Sequence, residues 1–151
     1  MNALPVFGFG EKNEVSKFGW SIAAYSSAQT TTPPTSIIDY NVATAWHSQY
    51  SVPPAATYPH FITIDLGQLK TVDGFNIQNG AGRSIKTADI LYSNDGVNFT
   101  PQASYTIQKI GSKQNFDFPS ALTFRYFKIV PTSSWDGQPF AQIAEIGFYN
   151  N

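Results

Sequence analysis

The feature that most constrains this chain is how often its apolar runs are cut. No window sustains a helical period of useful length. Apolar and aromatic residues come instead in short runs with partial alternation, bounded by Pro, Gly, Asn and Asp. Phe61-Ile62-Thr63-Ile64-Asp65-Leu66, Gly74-Phe75-Asn76-Ile77-Gln78 and Ala88-Asp89-Ile90-Leu91-Tyr92-Ser93 read as strands. Asn94-Asp95-Gly96 then leads into Val97-Asn98-Phe99, and Asp-Gly between two β-like runs predicts a hairpin. Phe116-Asp117-Phe118 alternates, Arg125 to Val130 reads as a core strand ended by Pro131, and Ile143 to Tyr149 supplies a last strand. The Pro-rich stretches Thr30–Thr35 and Ser51–Pro59 read as loops, because proline fixes φ and removes a donor. Short strands separated by turns predict an all-β sandwich or jelly roll.

Composition narrows function. The net charge is −1 and charged residues are 13% of the chain, about half of the ordinary share. Phosphate neutralisation needs a basic surplus, so nucleic-acid binding is not expected. Disorder needs low hydrophobicity with high charge, and a coiled coil needs abundant Glu and Lys, whereas this chain has three Glu. The absence of cysteine excludes disulfide scaffolds, zinc–thiolate sites and thiol nucleophiles. No run approaches the roughly 18 apolar residues of a membrane span. At 151 residues the chain is one domain's worth of sequence. Residues 1–17 lack the basic start and apolar stretch of a signal peptide and read as a linker or loosely attached lead-in, with residues 18–151 as the domain.

Two places draw attention by their oxygens. Ser36-Ile37-Ile38-Asp39-Tyr40-Asn41-Val42-Ala43-Thr44 carries short oxygen-bearing side chains at close spacing. Hard cations such as Ca²⁺ take such oxygens from loops, but the same residues also make Asx turns and caps. Glu145 follows a stretch of 130 residues without a Glu, yet it sits inside an apolar strand-like run. A carboxylate there must face solvent, pair with a cation such as Arg125 or Lys128, or bind a metal.

At this point the residues form a familiar pattern. Ile38-Asp39 with Thr44 and Trp46-His47-Ser48, then Pro59-His60-Phe61-Ile62-Thr63-Ile64-Asp65-Leu66-Gly67, make two blocks. Tyr92 to Phe99, Arg125-Tyr126-Phe127-Lys128-Ile129, and Gly137 to Ile146 make three more. Together these five blocks, over about residues 18–150, resemble the F5/8 type C or discoidin domain, and within it the bacterial family 32 carbohydrate-binding modules. The resemblance implies an eight-stranded jelly-roll β-sandwich of the galactose-binding kind, with its termini close together. It also implies a structural Ca²⁺ held by the Ser36 carbonyl, Asp39, Asn41, Thr44, the Ala144 carbonyl and Glu145.

The resemblance further places a sugar on loops at one end of the sandwich, against His47, Tyr50 and Phe140, with Trp135 nearby. A pyranose stacks its C–H face on aromatic rings and offers hydroxyls to fixed polar groups. Galactose-binding members place an arginine after a sheet strand; here Arg83 and Asn79 stand in that context. The residues themselves leave His47 open as a buried structural histidine beside core Trp46, and Phe140 open as a core plug. Catalysis is not expected. Asp65, Asp73, Asp89, Asp95, Asp117 and Asp136 show no glycosidase pairing, and neither histidine sits in a nucleophile elbow. The expected function is a non-catalytic carbohydrate-binding module, one monomeric part of a larger extracytoplasmic glycan-processing or surface protein. Its partner would be a glycan, of galactose type or a related hexose or hexosamine. The alternative is a discoidin-type adhesion module for protein or membrane, or a structural spacer with no sugar site. The loop tips carry no strong apolar or basic cluster, so a membrane is the less expected partner.

Overall fold

The computed structural model describes residues 12–151; the expectations for residues 1–11 lie outside the described residues. Eight strands follow in order: β1 Asn13–Glu14, β2 Ser21–Tyr25, β3 Trp46–His47, β4 Ile62–Asn79, β5 Ile85–Ser93, β6 Thr100–Thr106, β7 Gln114–Ser134 and β8 Gln142–Asn150. Among the described residues one 3₁₀ turn, Pro34–Ile38, lies midway along the loop between β2 and β3. Every strand pairing is antiparallel.

Hydrogen bonding runs β1-β8-β4-β7-β5-β6, with β2 added to β4 and β3 to β8. Two long strands make this continuity possible. β4 absorbs the Phe61–Leu66 run from Ile62 onward together with Gly74–Gln78, and β7 absorbs both Phe116–Phe118 and Arg125–Val130. Their pairing is interrupted between Asp65 and Lys70 and between Val72 and Gly74, where the ladder breaks and the strands turn the corner. The first half of β4 pairs with β2 and the late half of β7, while its second half pairs with β8 and the early half of β7. The result is one sheet folded over itself into two layers, the expected β-sandwich. Phe127 closes the layers together, with its ring centroid 5.5 Å from Phe75 and 4.7 Å from Phe148. Trp46, Phe75, Phe124, Phe127 and Phe148 are fully buried.

Pro131 does not end its strand. β7 runs on to Ser134, because Pro131 sits opposite Ala88 where the β5–β7 register slips, so its missing N–H breaks no regular ladder bond. The predicted hairpin forms, with Gly96 at φ 76 and the Asp95 carboxylate accepting the amides of Val97 and Asn98, both at 2.8 Å. Those bonds hold residues 97–99 in the turn, so β6 begins at Thr100. Within the stretch read as a lead-in, Asn13–Glu14 pairs with the end of β8 and Lys17 reaches Glu145.

Candidate functional site

β3 brings the first candidate to the surface. Trp46 and His47 pair with Ile143 and Gln142 of β8. Alternation then sends Trp46 fully into the core, where its indole donates to the Ser27 carbonyl at 2.8 Å, and leaves His47 half-buried. His47 Nδ1 lies 2.7 Å from the Ser48 carbonyl. A carbonyl can only accept, so Nδ1 carries a proton and donates it; in the neutral tautomer with that proton, Nε2 is the acceptor. Tyr50 follows on a loop fixed by Gln29, whose side-chain oxygen accepts the amides of Tyr50 at 2.7 Å and Ser51 at 3.1 Å.

Three rings gather here. His47 and Tyr50 lie 4.8 Å apart edge-on, Tyr50 and Phe140 5.9 Å, and His47 and Phe140 6.1 Å. Tyr50 is 50% exposed, so the cluster faces solvent and is not sealed as core. Arg83 lays its guanidinium 5.0 Å from the Phe140 ring and donates to Asp136 at 2.8 Å. The loop carrying Phe140 is held from beneath. Tyr58 donates its hydroxyl to the Phe140 carbonyl at 2.8 Å, and His60 Nε2 donates to the Pro139 carbonyl at 2.7 Å. Burial pushes the Tyr58 hydroxyl's pKa up, which keeps the proton that its bond needs, and pushes the His60 imidazole's down against the opposing pull of the Pro139 carbonyl.

Two sequence candidates do not join the rings. Asn79 is buried, and its amide is spent on backbone: Nδ2 donates to the Ile85 and Gln108 carbonyls, and Oδ1 accepts the Ile85 amide. It fixes the β4–β5 loop and has no free donor for a ligand. Trp135 donates its indole to the Ile107 carbonyl at 2.8 Å and packs under Lys86, whose ammonium lies 4.9 Å from the ring. Sequence reasoning missed Tyr58, Asp136 and the supporting part of His60. The nearest signals were the family block containing His60 and the Asp136-Gly137 turn.

The oxygen-rich loop forms its own network. Asp39 accepts the Asn41 amide at 2.9 Å and the Thr44 hydroxyl, and Asn41 Oδ1 accepts the Ala43 amide at 2.9 Å. The Asn41 carbonyl accepts the Thr44 amide and hydroxyl at 3.2 and 2.8 Å. These are the Asx-type bonds that the spacing allowed. Tyr40 takes φ 63 between them and donates its amide to Glu145 Oε2 at 3.1 Å. Glu145 is buried on β8 and pairs with Lys17, not with Arg125, which is bonded to Asp65, or with Lys128, which lies over Phe61 and Phe99. Burial raises the Glu145 pKa and Lys17 opposes that rise. Its second oxygen, Oε1, is buried with no hydrogen-bond partner. Among the described residues no group of three or more His, Cys, Asp or Glu gathers, so charge at this loop comes from Asp39 and Glu145.

Comparison with known proteins agrees with this fold. The F5/8 type C domain profile matches residues 21–146. A sialidase of Micromonospora viridifaciens is 33% identical over 114 residues, 73% of this chain and 18% of the relative. A galactose oxidase of Gibberella zeae is 30% identical over 146 residues, 89% of this chain and 20% of the relative. The chain thus spans about one fifth of the length of these curated relatives. Among solved structures, the family 32 carbohydrate-binding module of C. perfringens NanJ, in complex with galactose, superposes with a TM-score of 0.80 at 24% identity, over 92% of this chain and 99% of that one. The profile match and the sialidase identity place this chain in the F5/8 type C domain family.

Proposed function

We propose that this domain is a non-catalytic glycan-binding module whose platform is the His47–Tyr50–Phe140 ring cluster. The observation that carries the proposal is the exposed Tyr50 ring standing against His47 and Phe140, with the Arg83 guanidinium over Phe140. A structural spacer would bury these rings; a sugar platform must expose them. His47 Nε2 offers an acceptor and Arg83 offers donors around an apolar floor, which suits a pyranose. The galactose complex of a similarly folded module supports the ligand class. Binding is weak in this reading, because a shallow platform buries little of a small sugar. The module works as one part of a longer extracytoplasmic protein that handles or captures glycans, a reading supported by the small share of the sialidase that it spans.

The same reading includes a Ca²⁺ at the 36–44 loop. The residues fit such an ion. Glu145 Oε1 is buried without a partner while Lys17 and the Tyr40 amide serve Oε2, a costly state for Oε1 that a cation relieves, and the candidate ligands of the loop are all oxygen. Ser36 and Ala144 would give carbonyls, and Asp39, Asn41, Thr44 and Glu145 the remaining oxygens. The ion would supply a cross-link between this loop and β8.

A glycan array followed by calorimetry tests the platform. Tyr50→Ala and His47→Ala should each abolish binding and leave the melting temperature nearly unchanged. Unaltered binding in both variants would reject the site.

A further inference from the structure

Gln142 stands between the ring cluster and a cavity. On one side its strand neighbour across β3 is His47 of the ring cluster. On the other side lies a cavity of about 430 Å³ whose walls include Ala43, Thr44, Gly80, Ala81, Lys109 and Gln142. That volume falls within the roughly 300–1,000 Å³ of small-molecule sites. The Gln142 side chain is clamped: Oε1 accepts the amides of Gly82 at 2.9 Å and Arg83 at 3.0 Å. A Cβ at position 80 would lie 2.4 Å from Gln142 Cγ, so glycine there gives the side chain its room. The clamp uses only the oxygen. Among the described residues Gln142 Nε2 makes no hydrogen bond, and its rotation is fixed by the two amides that hold Oε1.

The other polar side chains of the cavity are mostly spent. Asn79 serves the Ile85 and Gln108 backbone, Ser84 donates to the Gly80 carbonyl at 2.9 Å, and Gln78 donates to the Gly111 carbonyl at 2.6 Å. Lys109 is the one charged residue lining the cavity, and among the described residues its ammonium has no carboxylate partner. The residues lining the cavity therefore include an amide with an unused donor and a lysine with no carboxylate partner, and no acid. A ligand group rich in acceptors and negatively charged matches that lining.

We propose that the glycan site continues from the ring cluster over Gln142 into this cavity, and that the cavity takes an acidic saccharide unit, bearing carboxylate or sulfate, linked to the sugar on the rings. This rests on the ring-cluster reading and adds the substrate class. Arg83 couples the two halves, since its amide is held by Gln142 and its guanidinium covers Phe140.

The test is an array of neutral glycans printed beside uronic-acid-bearing and sulfated ones, probed with the wild type, Lys109→Ala and Tyr50→Ala. Calorimetry then compares the best acidic glycan with its neutral counterpart at low and high salt. The wild type should bind the acidic glycan roughly three- to tenfold tighter, the range of one partly solvated charge contact, and salt should shrink the difference. Lys109→Ala should erase the preference while keeping neutral binding, and Tyr50→Ala should lose both. The uronic and sulfated arms identify which anion is read. A wild type with no acidic preference, or a Lys109→Ala protein with the wild-type ratio, overturns the extension and leaves the ring site standing. A wild type that binds no glycan overturns the ring reading and the extension with it.

Discussion

Tyr58 and His60 show how much of the platform depends on residues that never touch a ligand. Each spends one polar hydrogen on the carbonyl of a consecutive residue, Phe140 and Pro139, and their rings stack edge-on at 4.6 Å. Tyr58→Phe removes the hydroxyl and leaves the Phe140 carbonyl without this donor. The expected cost is about 1 kcal/mol of stability, with glycan affinity falling several-fold as the Phe140 ring loses its fixed position. Paired denaturation and calorimetry check both effects, and a variant equal to the wild type in affinity would show that the ring is held by packing alone. The family resemblance singled out His47, Tyr50 and Phe140, and the fold brings their rings together. The resemblance misread Asn79, because an amide facing a ligand and an amide satisfying its own loop look identical until the backbone around them is known. Tyr58 was invisible for a related reason, since its partner is a backbone carbonyl 82 positions away.

At the scale of elements, the strands were legible wherever apolar and polar residues alternate. Their joining was not, because β4 and β7 are each continuous through a corner that the sequence marks only as a break in alternation. Position 17 is the sharper lesson. A lysine before the first strong apolar run reads as solvated, yet its ammonium meets the Glu145 carboxylate with both side chains largely buried. Together with the proposed ion, this pair would tie the 36–44 loop and the first residues to β8. EDTA should lower the melting temperature and added Ca²⁺ should restore it. Lys17→Met leaves Glu145 with its charge exposed to a low dielectric, at a cost of about 3 kcal/mol, and should deepen the EDTA-induced drop. Calorimetric melts of both proteins in each condition check this; no shift on removing metal from either would argue against an ion at the loop.

The whole molecule should lose stability in two steps on acidification. His60 is buried with Nδ1 unpartnered, and burial holds its pKa below the ordinary 6.5. The unfolded chain then binds the proton first, so this contribution is full above 6.5 and is lost as pH falls from there through the folded value. Asp65 is depressed below 3.8 chiefly by its hydrogen bonds to Arg125, and Asp117 chiefly by the Tyr149 hydroxyl. Their contributions persist above 3.8 and disappear as pH falls through the depressed folded values. Melting temperature followed from about pH 8 to about pH 2 should show both limbs. His60→Gln, which keeps a donor but does not titrate, should flatten only the first. A wild-type curve flat through the histidine range would refute the assignment.

The pairing of β1 with the far end of β8 sets how a larger protein can present this domain. β8 is nine residues long, with His47 paired at Gln142 and Asn13 paired at Asn150. At about 3.3 Å per residue the strand separates the rings from the Asn13–Asn150 pair by roughly 26 Å. The first described strand and the last therefore meet at one pole of the domain, and the rings occupy the other. Carried by that pole, the domain would hold its rings about one strand length clear of its carrier, like a hand held out at the end of a forearm.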